Sequence, residues 1–152
     1  MKKVKLSLGT VIALAALAVT GVALAHAVTV IKGTPKDDAL TGTPGKDLVF
    51  ARAGNDTVNA GADNDRVHGM RGNDTLNGED GNDRMWPGRG TDRQMGGDGD
   101  DVLHALARDR QVDQIDCGPG NDTVWLNAKE QAVHVNCEVV KTVTVKGNGG
   151  DD

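Results

Sequence analysis

Large apolar residues are sparse in this chain, but they recur on a fixed beat. From residue 33 onward one falls at nearly every ninth position: Leu40, Val49, Val58, Val67, Leu76, Met85, Leu103 and Val112, with Gln94 breaking the series. Val124 resumes it after three extra residues, Gln114, Ile115 and Asp116. Helical spacing is absent from the whole stretch. Cut into nines, residues 33–113 read GTPKDDALT, GTPGKDLVF, ARAGNDTVN, AGADNDRVH, GMRGNDTLN, GEDGNDRMW, PGRGTDRQM, GGDGDDVLH and ALARDRQVD, and CGPGNDTVW follows at 117–125. Each unit divides into six turn residues rich in Gly, Asn and Asp and a three-residue strand. Period two in the strand sends the eighth place inward and the seventh and ninth outward. A constant period of this length signals a solenoid.

The flanks are less regular. Residues 28–31 form a β-branched run that reads as a first strand capping the solenoid. Residues 126–135 fit a helical turn or an edge strand, 137–145 alternate like a strand, and 146–152 form a polar tail.

The polar places keep the same beat. The sixth is Asp in eight consecutive units, namely Asp38, Asp47, Asp56, Asp65, Asp74, Asp83, Asp92 and Asp101; it lapses at Arg110 and returns at Asp122. The fourth is Gly at Gly45, Gly54, Gly72, Gly81, Gly90, Gly99 and Gly120. Chance composition does not hold an Asp column and an apolar column in one register, which argues against a Gly/Asp-rich disordered linker.

Charge and cysteines narrow the setting. The first 27 residues carry Lys2, Lys3 and Lys5, an apolar run over 6–24, and Ala25-His26-Ala27, a small-x-small cleavage pattern. This is the layout of a secretory signal peptide, and export to the cell exterior is expected in preference to a retained anchor. The remaining chain loses three of its 17 cations, leaving 14 basic against 22 acidic residues and a balance of −8. Such a surface suits cations and disfavours nucleic acid and anionic membranes. After export, Cys117 and Cys137, the only cysteines, are expected to form a disulfide.

The nonapeptides resemble those of RTX, or haemolysin-type, calcium-binding proteins, whose pattern is G-G-x-G-x-D-x-U-x with U large and aliphatic. The likeness spans residues 31–125, and residues 96–104 (GGDGDDVLH) match every defined place. It implies an all-β fold, a right-handed parallel β-roll of nine to ten repeats in which two nonapeptides make one coil. Calcium then lies between stacked turns, held by Asp carboxylates and by backbone carbonyls of the glycine-rich segments. The segment from Ile115 through Glu138 is similar to the disulfide-closed ends of small secreted bacterial relatives, implying a cap. The implied domains are a signal peptide (1–27), the calcium roll (28–113), the last repeat with its cap (114–140) and a flexible tail (141–152).

In such a roll the aspartates form two columns, Asp38/Asp56/Asp74/Asp92 and Asp47/Asp65/Asp83/Asp101. Three gaps in each give about six calcium sites, and Asp122 adds a seventh. Calcium takes six or more oxygens, so main-chain carbonyls must supplement the carboxylates, and glycine permits the tight turns that aim them. One aliphatic per nine residues contributes about 1.5–3 kcal/mol. Ordering nine backbones costs about 1–2 kcal/mol each, and ladder hydrogen bonds return only about 1 kcal/mol net apiece. The metal-free chain is therefore expected to be disordered, with binding supplying folding energy. Lys36 marks a poor first turn, Pro87 and Gln94 weaken the Asp74/Asp92 gap, and Arg108 and Arg110 end the calcium chemistry.

The outward ninth place reads Phe50, His68, Trp86 and His104 in alternate units. Stacked on one face, these form a supporting ladder or a strip for a glycan or cell-envelope partner. Catalysis is not expected, because residues 28–152 contain no Ser and no Tyr and the cysteines are paired. The two function classes are a calcium-binding structural module and a surface-binding solenoid, adhesin-like or, less in keeping with its irregular seventh places, ice-binding.

Overall fold

A computed structural model describes residues 10–12, 27–107, 109–129 and 132–144. The fold is an all-β parallel solenoid of about six turns. The strands are β1 (Thr10–Ile12), β2 (Thr29–Lys32), β3 (Ala39–Thr41), β4 (Asp47–Ala53), β5 (Thr57–Ala62), β6 (Arg66–Arg71) and β7 (Thr75–Asp80). They continue as β8 (Arg84–Arg89), β9 (Arg93–Asp98), β10 (Val102–Ala105), β11 (Gln114–Asp116), β12 (Thr123–Asn127), β13 (Val133–Val135) and β14 (Val139–Val143). Odd strands build one parallel sheet and even strands the other, in chain order.

Register confirms eighteen residues per coil. Leu40 lies beside Val58, Val58 beside Leu76, and Leu76 beside Gln94 in one sheet. Val49, Val67, Met85 and Leu103 are aligned in the other. The two rows meet as a narrow core that also takes Ala51, Ala60, Ala105 and Cys117 from the first place of the repeat. That place is inward because most strands are longer than the expected three residues. β5 to β9 each run for six, continuing through places one to three of the next unit. Small residues at the first place let two sheets close on a core one aliphatic deep.

The sequence register fails at one point. Gln114 aligns with Arg93 and Ile115 with Gln94, a step of twenty-one that places the three extra residues before Asp113, in the loop after β10. Ile115 is therefore the buried aliphatic, at 2% exposure, while Val112 is 46% exposed. The loop absorbs the insertion because it leaves β11 and β12 in register with the coil below.

The C-terminal segment extends the solenoid. β13 pairs on β11 and β14 on β12, both parallel, so the expected disulfide-closed C-terminal end is built as a further coil over residues 133–143. The Cys117–Cys137 disulfide ties this coil to the one below, with its Cα atoms 5.2 Å apart. At the other end β2 pairs with β4, as the β-branched run implied, and β1 lies against β3. The rest of the expected signal segment and the tail from 145 onward lie outside the described residues, as does Arg108.

Candidate metal centre

The aspartates at the sixth place point inward at the ends of the strands. Asp47, Asp56, Asp65, Asp74, Asp83, Asp92, Asp101 and Asp122 are each 2% exposed or less. Their burial is organised by one repeated bond, in which each Asp amide donates to Oδ1 of the Asp one coil further on. This joins Asp38 to Asp56, Asp56 to Asp74, and Asp74 to Asp92, all at 2.8 Å. The same distance joins Asp47 to Asp65, Asp65 to Asp83, and Asp83 to Asp101. The Asp74/Asp92 bond has the same length as the others, although Pro87 and Gln94 lie in that unit.

Both columns continue past the point where Arg110 was expected to end the series. The Asp92 amide reaches Asp113 Oδ1 at 3.0 Å, and the Asp101 amide reaches Asp122 Oδ1 at 2.7 Å. The Asp122 amide then donates to Glu138 Oε2 at 2.8 Å. Asp113 and Glu138 were missed because the insertion moved one out of register and the other is a Glu. Asp113 was still findable, since it precedes the better aliphatic, Ile115.

A second ladder runs the other way. The fifth-place amide donates to the fifth-place side chain of the preceding coil, as Asn73 does to Asn55 and Asn82 to Asn64, both at 2.8 Å. Asp100 and Asn121 extend the second series. The recurrent Asn-Asp pair thus satisfies the turn in both directions, a role for Asn beyond tolerating the turn.

The remaining carboxylate oxygens are the chemical signal. Oδ2 of Asp56, Asp65, Asp74, Asp83, Asp92, Asp101 and Asp122 is buried without a hydrogen-bond partner. In the first unit of each column this atom is satisfied. Thr34 donates its amide and hydroxyl to Asp38 Oδ2, and the Thr43 amide donates to Asp47 Oδ2. Those two Gly-Thr-Pro units use a different turn. Gly45 is accordingly outside the left-handed region that Gly54, Gly72, Gly81, Gly90 and Gly99 occupy.

Among the described residues no three His, Cys, Asp or Glu side chains converge on one point. Carbonyl oxygens must supply the rest of any calcium shell, and they are close by. A Cβ placed on Gly78 would lie 2.2 Å from Asp83 Oδ2 and 2.3 Å from the Gly96 carbonyl oxygen. At Gly69 the corresponding atoms are Asp74 Oδ2 at 2.5 Å and the Pro87 carbonyl oxygen at 2.4 Å. Buried, acceptor-only oxygens facing one another across glycine fit a hard cation.

Burial raises these carboxyls. Asp65, Asp92 and Asp101 are pushed up to about 7, and Asp56 and Asp83 to about 6. Asp74 and Asp122 rise for the same reason. In each case loss of hydration is the largest cause, and the amide bond from the coil before partly offsets it. Neighbouring carboxylates add to the rise at Asp65 and Asp101. A divalent cation between the coils would reverse that repulsion.

The expected outer strip is present and longer than the sequence reading had it. Phe50 and His68 stack at 5.1 Å, His68 and Trp86 at 4.6 Å, and Trp86 and His104 at 5.0 Å between centroids. Trp125 extends the row at 6.3 Å, and Lys141 Nζ lies 4.7 Å from its ring centroid. Trp125 is the ninth place of the last nonapeptide, so the same periodicity contained it.

A parallel solenoid carrying two columns of buried aspartates, with carbonyls and glycines between its coils, defines a repeat protein of the calcium-binding type. The family model for the RTX calcium-binding nonapeptide repeat (4 copies) matches residues 32–67, 59–94 and 95–109. The chain belongs to this family of RTX-type repeat proteins. No curated protein and no solved structure matches it.

Proposed function

We propose that this chain is a secreted, non-catalytic β-roll whose folding is coupled to calcium binding between its coils. The observation that carries the reading is the set of seven buried Asp Oδ2 atoms without partners. Each sits between coils already joined by the amide-to-Oδ1 bond, where a cation supplies the missing counter-charge. Eight Asp-to-Asp gaps are available, four per column. The residues that would hold calcium are these aspartates with main-chain carbonyls of the adjoining coil. Extracellular calcium, at millimolar levels suited to weak modules, would then make folding follow export. The positive n-region, apolar run and Ala-His-Ala of the N-terminus support that route.

The glycan-strip alternative is weaker on this geometry. Sugars dock on aromatic faces, and the faces of His68, Trp86 and His104 are occupied by one another at interplanar angles of 6° and 10°. The row serves as a ladder binding successive coils.

Circular dichroism of residues 28–152 during calcium titration, with magnesium as control, tests the reading. A disordered spectrum in chelator should become β-rich with calcium and remain disordered with magnesium. A chain already folded in chelator, or indifferent to about 10 mM calcium, would refute it.

A further inference from the structure

Successive turns alternate between two long edges of the solenoid, and the outer charges of those edges are opposite. Turns leaving β4, β6 and β8 carry Arg52, Arg71 and Arg89 and no acid at places two to five. Turns leaving β5, β7 and β9 carry Asp63, Glu79, Asp80, Asp98 and Asp100 and no base there. Adjacent coils align these groups in rows, Arg71 beside Arg89 and Asp80 beside Asp98. Other residues moderate the contrast without cancelling it: Lys46, Arg66 and Arg84 lie on the acidic edge, while Asp37 and Asp109, which accepts from the Gly90 amide, lie on the basic one with Lys36, Arg93 and Arg110. Lys46 approaches Asp63 at 4.0 Å, with both partly exposed.

Each edge encloses one aspartate column. The acidic edge holds Asp47, Asp65, Asp83, Asp101 and Asp122, and the basic edge holds Asp38, Asp56, Asp74, Asp92 and Asp113. We propose that the columns are two ranks of calcium site, the acidic-edge rank filling before the basic-edge rank. The proposal rests on the calcium reading above. The inner chemistry of the ranks is matched, since both present Oδ2 atoms buried without partners. What differs is the outer field. A divalent ion approaching the acidic edge is attracted by exposed carboxylates; one approaching the basic edge is repelled by guanidiniums. Through water at about 10 Å, each outer charge changes the affinity of a site for a divalent ion about fourfold at low salt.

The test is a calcium titration of the full chain followed by amide NMR. Gly81 and Gly99 report the acidic edge, and Gly72 and Gly90 the basic one. The expected result is movement of Gly81 and Gly99 at lower calcium, with the gap closing in about 0.5 M KCl as screening increases. In the charge-exchanged variant R71D/R89D/D80R/D98R, whose net charge is unchanged, the order should reverse. Simultaneous movement of all four glycines at low salt, or an order unaltered by the exchange, overturns the proposal. No movement of any glycine with calcium would instead sink the calcium reading on which it rests.

Discussion

Gln94 crosses the core to donate from Nε2 to the carbonyl oxygen of His104 at 3.0 Å. Elsewhere that type of carbonyl is served by the backbone. The Gly33 amide donates to Phe50 and the Gly42 amide to Asn59, each at 2.8 Å and each seventeen residues apart. The residue seventeen before His104 is Pro87, which has no N–H. The two irregular residues of the seventh nonapeptide are thus one unit: Gln94 supplies the hydrogen that Pro87 lacks.

Gln94→Leu should therefore destabilise the calcium-loaded protein by about 1–2 kcal/mol, the cost of an orphaned carbonyl less the gain from an apolar core residue. In a Pro87→Ala background, where a backbone N–H is restored, the same change should be neutral or stabilising. Urea unfolding of the four proteins of this cycle gives the coupling. Equal costs in both backgrounds would dissolve the pairing.

Acid should partly replace calcium. Asp65, Asp92 and Asp101 titrate at about 7 in the fold, and Asp56 and Asp83 at about 6. Unfolded carboxyls titrate near 4. Raised folded values mean that this contribution to stability is full below the unfolded value and is lost as pH rises through 6 to 7. His68 and His104 act oppositely. Burial lowers them, so their contribution is lost as pH falls through the ordinary imidazole range. Asp74 and Asp122 are raised in the same direction, seven carboxyls outweigh two imidazoles, and the calcium-free chain should show more β-structure at pH 5 than at pH 8. Indistinguishable circular dichroism spectra in chelator at the two pH values would count against the inward carboxyls.

The corrected register can be tested by counting ions. Asp113→Asn should remove about one bound calcium per chain and loosen the last basic-edge gap. Arg110→Gln, at the position where the uncorrected nines place the column, should leave the count unchanged. Isothermal titration calorimetry distinguishes them, and equal stoichiometries for the two variants would contradict the placement of Asp113.

Trp86 is the middle ring of five. Trp86→Ala breaks two stacks at once, and a loss of about 2–4 kcal/mol is expected from burial plus stacking. Calcium stoichiometry should not change, because no ring faces the columns. An unaltered urea midpoint in saturating calcium would show that the ladder contributes nothing.

The architecture was readable wherever a side chain recurred, and failed where the signal was a missing one. Asp, aliphatic and ninth-place aromatic residues carried the eighteen-residue coil and the outer strip from spacing alone. Strand length was underestimated because the first place is often glycine, as at Gly69 and Gly78, and a glycine on a strand looks like a turn residue. Non-glycine residues at the second place misled in the same direction. Arg52, Met70 and Glu79 occupy left-handed φ of 86°, 82° and 72° inside otherwise extended strands, a conformation no propensity favours. The compensation of Pro87 by Gln94 joins opposite sheets and has no periodic trace.

The eighteen-residue coil also sets what lengths this protein can become. Gain or loss of a whole coil keeps every column, both ladders and the ring row in place. A single nonapeptide does not, since it would carry the Arg71 and Arg89 row across to the acidic side and move Trp86 into the opposite sheet. The twenty-one-residue coil at 93–113 shows the permitted exception: its surplus lies wholly in the loop after β10. Although the repeat in the text is nine, the heritable unit of growth is eighteen.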